Sequence, residues 1–79
     1  MNVIEGEIIR VMESWPLQLT VMVEGSPYHV ELQEDTKVTR GDTLMGPGDL
    51  TIGHAVRISG LTSPTSRFAM MGEVIEILE

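Results

Sequence analysis

The chain has no cysteine, only one residue each of tryptophan, tyrosine and phenylalanine, and five basic residues in a total of 79. Without cysteine, neither a disulfide nor a thiolate metal cluster can hold the fold together. The few aromatic residues and the net charge of −7 disfavour single-stranded nucleic-acid binding, which needs stacking platforms and a basic groove. No apolar run approaches the roughly 18 residues of a membrane span. These absences disfavour a disulfide scaffold, a membrane-spanning protein and a generic nucleic-acid binder.

The length and the apolar content predict one small domain over residues 1–79. Apolar residues make up 42% of the chain, which is enough for a small core. A domain of this size removes only about 60% of its unfolded surface from water, so we expect marginal stability. No basic segment of a signal peptide precedes the first patterned stretch, so we expect a cytoplasmic location by default, or export if this is an excised domain.

Apolar and polar residues alternate with a period of two, which is typical of β-strands with one buried face. In the second strand the odd positions, such as Leu19 and Val21, are expected to point inward. In the fourth strand Val56 and Ile58 are inward and Arg57 is outward. The pattern predicts five strands, near residues 3–12, 17–24, 27–33, 54–60 and 67–78.

The inward set changes parity within the first and the last strand, which predicts a bulge or a sharp bend in each. A glycine, Gly6 or Gly72, lies near each change. Long, bent end strands allow a small barrel to close while each serves two parts of the sheet. The inward sets are expected to pass from Ile4 and Ile8 to Ile9 and Val11, and from Phe68 and Met70 to Ile75 and Ile77.

The one long connection, residues 39–53, contains four glycines and a proline, too many for a long helix. Asp49 is a suitable cap for one helical turn over residues 50–52, and Asp35 with Thr36 suits a turn that ends the third strand. Five strands with the longest connection between the third and fourth predict an OB-like Greek-key barrel with one short helical turn in that connection. An SH3-like barrel, with its helical turn between the last two strands, is the alternative.

Two segments carry a family resemblance. Residues 30–38 read VELQEDTKV, an alternating strand that ends in an Asp-Thr-x-Val step, and residues 49–60 read DLTIGHAVRISG, which ends in V-x-I-x-G. With Gly6-Glu7-Ile8 near the start and GEVIEI near the end, nearly the whole chain resembles the bacterial β-barrel family filed as domain of unknown function 5666. The resemblance implies an OB-like barrel of a kind often found in exported or lipid-anchored proteins, and it implies no activity. Met71 stands where that family tends to have alanine.

The sequence contains no motif of a catalytic, cofactor or metal site. The serines lie in turns or at a strand end without a nucleophile-elbow motif, and Gly46-Pro47-Gly48 lacks the lysine of a phosphate loop. The two histidines, His29 and His54, have the spacing of no ligand motif. We therefore expect no enzyme activity, no cofactor and no metal.

Methionine is the one compositional excess, with six residues. Met12 and Met70 are expected in the core, whereas Met22 and Met71 fall on outward faces and Trp15 lies in the first turn. Thioethers and indoles adapt to irregular apolar surfaces, so these last three residues form the predicted interaction patch. The function predicted from it is a non-catalytic binding module that forms a homodimer or docks on another protein. The plainer alternative is that the tryptophan caps the barrel and the methionines fill gaps in the core.

The alternative function is that of an acidic OB-type binder of single-stranded nucleic acid, because such barrels often bind single strands. The outward positions of the second and third strands carry no aromatic residue and no lysine or arginine, which disfavours this function. Arg57 and Arg67 flank the last hairpin and are the residues expected to serve it.

Overall fold

The structure, a computed structural model, describes residues 2–14 and 16–78, and of Arg67 it describes the backbone alone. No helix in these two ranges is long and apolar enough to cross a membrane. In chain order the elements are β1 (Asn2–Met12), β2 (Gln18–Val23), β3 (Ser26–Arg40), β4 (Thr43–Met45), one turn of 3₁₀ helix (Pro47–Asp49), β5 (Ala55–Ser63) and β6 (Ser66–Ile77).

Five of these strands close into a mixed β-barrel. β1 pairs antiparallel with β2 and β5, β2 pairs with β3, and β5 pairs with β6. Parallel pairing of β3 with β6 closes the ring, and the short β4 pairs with β3 outside it. The predicted all-β barrel is confirmed, with its helical turn before β5. Within the described chain, β5 and β6 are joined by a turn at residues 64–65 and no helical turn, contrary to the SH3-like alternative.

The first strand serves two parts of the sheet, as predicted, whereas β6 pairs with both β3 and β5 along most of its length. Residues 2–7 of β1 pair with β5 and residues 7–12 pair with β2, with a bulge between Ile8 and Arg10. At this bulge Ile9 is 40% exposed, so the inward position predicted for it is wrong. Met12 is also exposed rather than in the core.

In β6 the change of parity takes place as predicted. Met70 and Ile75 are both buried, and the pairing with β5 shifts register in the segment between them. Phe68 is 38% exposed, so the inward position predicted for it is wrong. Its ring meets that of Tyr28 edge to face, with 5.3 Å between the ring centroids.

Two glycines allow neighbouring strands to approach very closely. A Cβ atom at Gly6 would collide with the carbonyl oxygen of Met22, and a Cβ atom at Gly60 would collide with that of Met71. Gly60 therefore lies inside β5 at a close backbone contact, and its predicted place at the end of a strand is wrong.

β3 runs to Arg40, seven residues beyond its predicted end. The Thr36 hydroxyl accepts a 2.6 Å hydrogen bond from the backbone N–H of Gln33 and donates a 2.7 Å bond to the carbonyl oxygen of Gly72. The local turn chemistry expected at Thr36 is present, but it bends the strand instead of ending it, because β6 offers a partner beyond the bend.

The short helical turn ends at Asp49 instead of following it. The Asp49 carboxylate accepts a 2.9 Å hydrogen bond from the backbone N–H of Gly46, so it caps the turn Pro47–Asp49 from within. The predicted turn over residues 50–52 is wrong, and Leu50 instead joins the core, with 4% of its surface exposed.

The core is entirely apolar among the residues whose side chains are described. Most of the inward positions predicted for β2, β3 and β5 are buried, whereas Val23 and Tyr28 are only partly buried. The partly buried Met45 also packs against the core. The buried set consists of Ile8, Leu19, Val21, Val30, Leu32, Val38, Leu50, Val56, Ile58, Met70, Ile75 and Ile77.

Candidate functional site

A row of paired residues crosses the outer face of four strands. Gln18 of β2 is opposite Glu31 of β3, Glu31 is opposite Met71 of β6, and Met71 is opposite Leu61 of β5. Side chains at directly paired positions lie on the same face, with their Cβ atoms about 4.5–5.5 Å apart. Leu61 is 52% exposed and Met71 is 46% exposed. An apolar pair therefore lies open to solvent at one end of this row.

Two more exposed apolar residues extend this pair. Ser59 of β5 is opposite both Val3 of β1 and Val74 of β6, and both valines are exposed. The outer face of an antiparallel sheet is normally polar, so four large apolar side chains on three adjacent strands form an unusual surface. We call Val3, Leu61, Met71 and Val74 the apolar strip.

Three cavities, each of which shares lining residues with the next, begin at the apolar strip. The first, of about 460 Å³, lies between β3, β6 and the β5–β6 turn, with Leu61 and Met71 in its wall. The second, of about 330 Å³, shares these two residues and adds Gln33, Asp35 and Glu73. The third, of about 540 Å³, shares Gln33 and Asp35 with the second. We call the three together the outer trough.

The charged lining of the outer trough is acidic. No lysine or arginine is found among its lining residues, which lie within the described chain. The Glu31 carboxylate accepts a 3.3 Å hydrogen bond from Gln33 Nε2. In the part of the chain that the structure describes, the other carboxylates form no salt bridge. The four carboxylates belong to Glu31, Glu34, Asp35 and Glu73.

The structure brings one residue of the predicted interaction patch into this site. Met71 lies in both the apolar strip and the outer trough. Met22 is half-buried on β2, four residues along from Gln18 and two strands away from Met71, which is about 16 Å at ordinary sheet spacings. Trp15 lies outside the described residues. Met22 and Met71 are therefore separate on the surface.

Sequence reasoning missed Leu61 and Val74. Leu61 lies just beyond the predicted strand 54–60, because a glycine such as Gly60 is typical of a strand end. Leu61 nevertheless continues the outward parity of Arg57 and Ser59. Val74 is outward because the β6 bulge lets both Glu73 and Val74 face solvent. The alternation therefore indicates the outward position of Leu61, whereas the outward position of Val74 depends on the bulge.

The two arginines of the nucleic-acid alternative are not brought together. Arg57 lies between Glu5 of β1 and Glu76 of β6, with Nε–Oε2 and Nη1–Oε1 distances of 3.3 and 3.0 Å. The hydrogen bond and the charge of Glu5, followed by the charge of Glu76, raise the pKa of Arg57 above its usual value. Arg67 is the second residue of β6, and its backbone lies close to the hairpin end at Ser63 and about 20 Å along the sheet from Arg57.

The two histidines occupy different environments. His29 is exposed on β3 and lines the outer trough. A ring nitrogen of His54 lies 3.3 Å from the Thr51 hydroxyl oxygen, and the His54 carbonyl accepts a hydrogen bond from the Ile8 N–H. In residues 2–14 and 16–78 no three His, Cys, Asp or Glu side chains are grouped so that they could hold a metal ion.

Comparisons of the chain with family models, with curated proteins and with solved structures find no match. The resemblance to the family of domain of unknown function 5666 stays a prediction. The apolar strip and the outer trough are therefore the features that bear on function.

Proposed function

We propose that this protein is a non-catalytic binding module that contacts another protein through the apolar strip and the outer trough. The observation that carries the proposal is the exposed, directly paired Leu61 and Met71. Removing apolar surface from water is favourable by roughly 25 cal/mol per Å², and a partner that covers this pair gains that free energy. An apolar centre with a polar rim is also the usual composition of a protein interface.

The OB-like assignment is part of the proposal. The supporting observations are the strand order β1-β2-β3-β6-β5 closing on β1 and the long connection before β5. OB-folds bind their ligands on the face of the second and third strands and with the loops beside it. The outer trough takes its lining from β2, β3, β6 and the β5–β6 hairpin, which favours ligand contact on this side.

A homodimer is the second form of the proposal, and charge disfavours it. A standard interface buries about 800 Å² on each partner, roughly a sixth of the 4952 Å² accessible surface. Two copies that met through the outer trough would bring four carboxylates of one chain against those of another, each chain with a net charge of −7. Like charges across an interface are unfavourable, so a different protein is the favoured partner.

The acidic charge of the site disfavours the alternative, an acidic OB-type binder of single-stranded nucleic acid. The outer trough presents carboxylates, which repel phosphates. Arg57, one of the two cations expected to serve such binding, is shared between two carboxylates. The side chain of the other, Arg67, lies outside the described residues.

The test is affinity capture from native lysate with immobilised wild type, Met71→Glu and Leu44→Glu, followed by mass spectrometry. Leu44 is 73% exposed on β4 and does not line the outer trough, so it is the matched control. We expect the wild type and Leu44→Glu to retain one identified protein that Met71→Glu loses, and the purified protein should reproduce this pattern. Equal retention by all three, or no specific protein, would contradict the proposal.

Two solution measurements separate the other forms of the proposal. Sedimentation of the wild type beside Met22→Glu and Met71→Glu tests the homodimer, which a monomer at high micromolar concentration would exclude. Titration of labelled single-stranded DNA and RNA tests the alternative. We expect no binding at physiological salt, whereas salt-sensitive binding at low micromolar concentration would favour a nucleic-acid partner.

A further inference from the structure

The outer trough has two ends of different chemistry. At one end its wall is formed by Leu61, Pro64, Ala69 and Met71 around the cavity of about 460 Å³, over a floor that includes the buried Met70. This volume lies within the usual range for pockets that hold ligand groups. Beyond Leu61 and Met71, which the second cavity shares, the lining consists of Pro16, Gln33 and the carboxylates of Glu34, Asp35 and Glu73. An occupant that suits both ends needs an apolar group and, a short distance away, positive charge.

From this arrangement we infer that the outer trough binds an extended basic segment of a partner protein, with one apolar side chain against Leu61 and Met71 and basic side chains beside Asp35 and Glu73. The inference rests on the proposed function and names the chemistry of the partner. It combines the exposed apolar pair with the complementary charge of the carboxylates around it, which form no salt bridge in the described chain.

The distance between the two ends sets the spacing of the segment. Glu73 is two residues along β6 from Met71, which is about 7 Å, and Asp35 lies on the neighbouring β3. In an extended chain, side chains on one face recur at every second residue, about 7 Å apart. A segment with an apolar residue at position i therefore places a basic residue at i+2 beside Glu73, and a second basic residue at i+4 lies on the same face of the segment.

The segment lies on the sheet through side-chain contacts and not as an added strand. At the row of Glu31 and Met71, β3 already pairs with β2 and β6, and β6 already pairs with β3 and β5. Their backbone N–H and C=O groups are therefore engaged inside the barrel. Specificity must come from the apolar cavity and the carboxylates.

A second copy of this chain does not supply such a segment. Its five basic residues are scattered, and the closest two, Lys37 and Arg40, are three positions apart within β3. That spacing places the two side chains on opposite faces of a regular strand. The partner is therefore a different protein.

The test uses fluorescence anisotropy with a labelled synthetic peptide, Gly-Ser-Leu-Ser-Lys-Ser-Lys-Gly, and the intact wild-type protein. Two matched peptides replace either the leucine by serine or both lysines by glutamate. We expect saturable binding of the first peptide, binding at least about fivefold weaker without the leucine, and no binding of the glutamate peptide. Equal binding of the peptides with and without leucine would show only attraction to a chain of net charge −7 and would overturn the inference.

Protein variants locate the contact. Met71→Ser and the double variant Asp35→Asn with Glu73→Gln are each expected to weaken binding about fivefold, while Leu44→Ser leaves it unchanged. Circular dichroism checks that all variants are folded. Unchanged affinity in the double variant would overturn the inference.

The capture experiment distinguishes a failure of the inference from a failure of the proposed function. If the basic peptide does not bind but Met71→Glu still loses an identified partner, the segment chemistry is wrong and the proposed function stands. If neither peptide binding nor the capture of a partner depends on Met71, both the inference and the proposed function are wrong.

Discussion

Replacing Thr36 by valine removes one hydroxyl that joins two strands. In the native protein this hydroxyl accepts a hydrogen bond from Gln33 N–H and donates one to the Gly72 carbonyl. The two bonds lie where the parallel pairing of β3 with β6 jumps from Leu32 to Lys37. Valine keeps the shape of threonine but leaves both backbone groups without this partner. We therefore expect Thr36→Val to loosen the parallel closure of the barrel.

The magnitude follows from the two bonds, with distances of 2.6 and 2.7 Å. A typical hydrogen bond contributes about 1 kcal/mol net to the free energy of unfolding. Loss of both should therefore lower it by about 2 kcal/mol. Small domains have about 0.05–0.15 kcal/mol per residue in total, so this is a large fraction of the stability expected here. At about 4–8 °C per kcal/mol, Tm should fall by about 8–16 °C.

The assay is urea unfolding followed by circular dichroism, with Thr36→Ser as the matched control. Serine keeps the hydroxyl and loses only a methyl group, so it should retain most of the stability. Equal losses for serine, which lacks only the methyl group, and valine, which lacks only the hydroxyl, would show that the two hydrogen bonds contribute no more than the contacts of one methyl group. A valine variant as stable as the wild type would refute the reasoning, because the two bonds would then contribute nothing.

Two further substitutions test the close approach of strands and the core, each by urea unfolding. Gly60→Ala should lower the free energy of unfolding by at least about 3 kcal/mol, because its Cβ would meet the backbone of the neighbouring strand. Gly48→Ala, with no atom within 4 Å of the new Cβ, should change it by less than about 0.5 kcal/mol. Similar values for the two variants would contradict the close approach. Ile58→Ala, at a fully buried position, should lose about 2–5 kcal/mol, whereas Ile52→Ala, at a position that is 67% exposed, should lose far less. An Ile58→Ala variant as mild as Ile52→Ala would show that the core is placed wrongly.

Parts of the candidate site could be predicted from single positions. The outward parity of Met71 follows from the alternation of its strand, and its 46% exposure agrees with that expectation. The pairing of Leu61 with Met71 could not be predicted, because it depends on the register of β5 with β6. Leu61 also lies beyond the predicted end of its strand. Gly60 resembled a turn residue, and only the backbone of Met71 beside it explains why glycine is required there.

The sequence by itself determined the all-β class, the approximate positions of five strands and most of the inward side chains. It could do so because the pleat of a strand sends successive side chains to opposite faces, and this rule acts between residues close together in the chain. Tertiary structure alone decided that β3 continues past Thr36 to pair with β6, and that Arg57 lies between Glu5 and Glu76. The apolar strip on the outer face likewise forms only in the tertiary structure. These features depend on the registers between segments far apart in the chain, which packing of the closed barrel sets and no local pattern encodes.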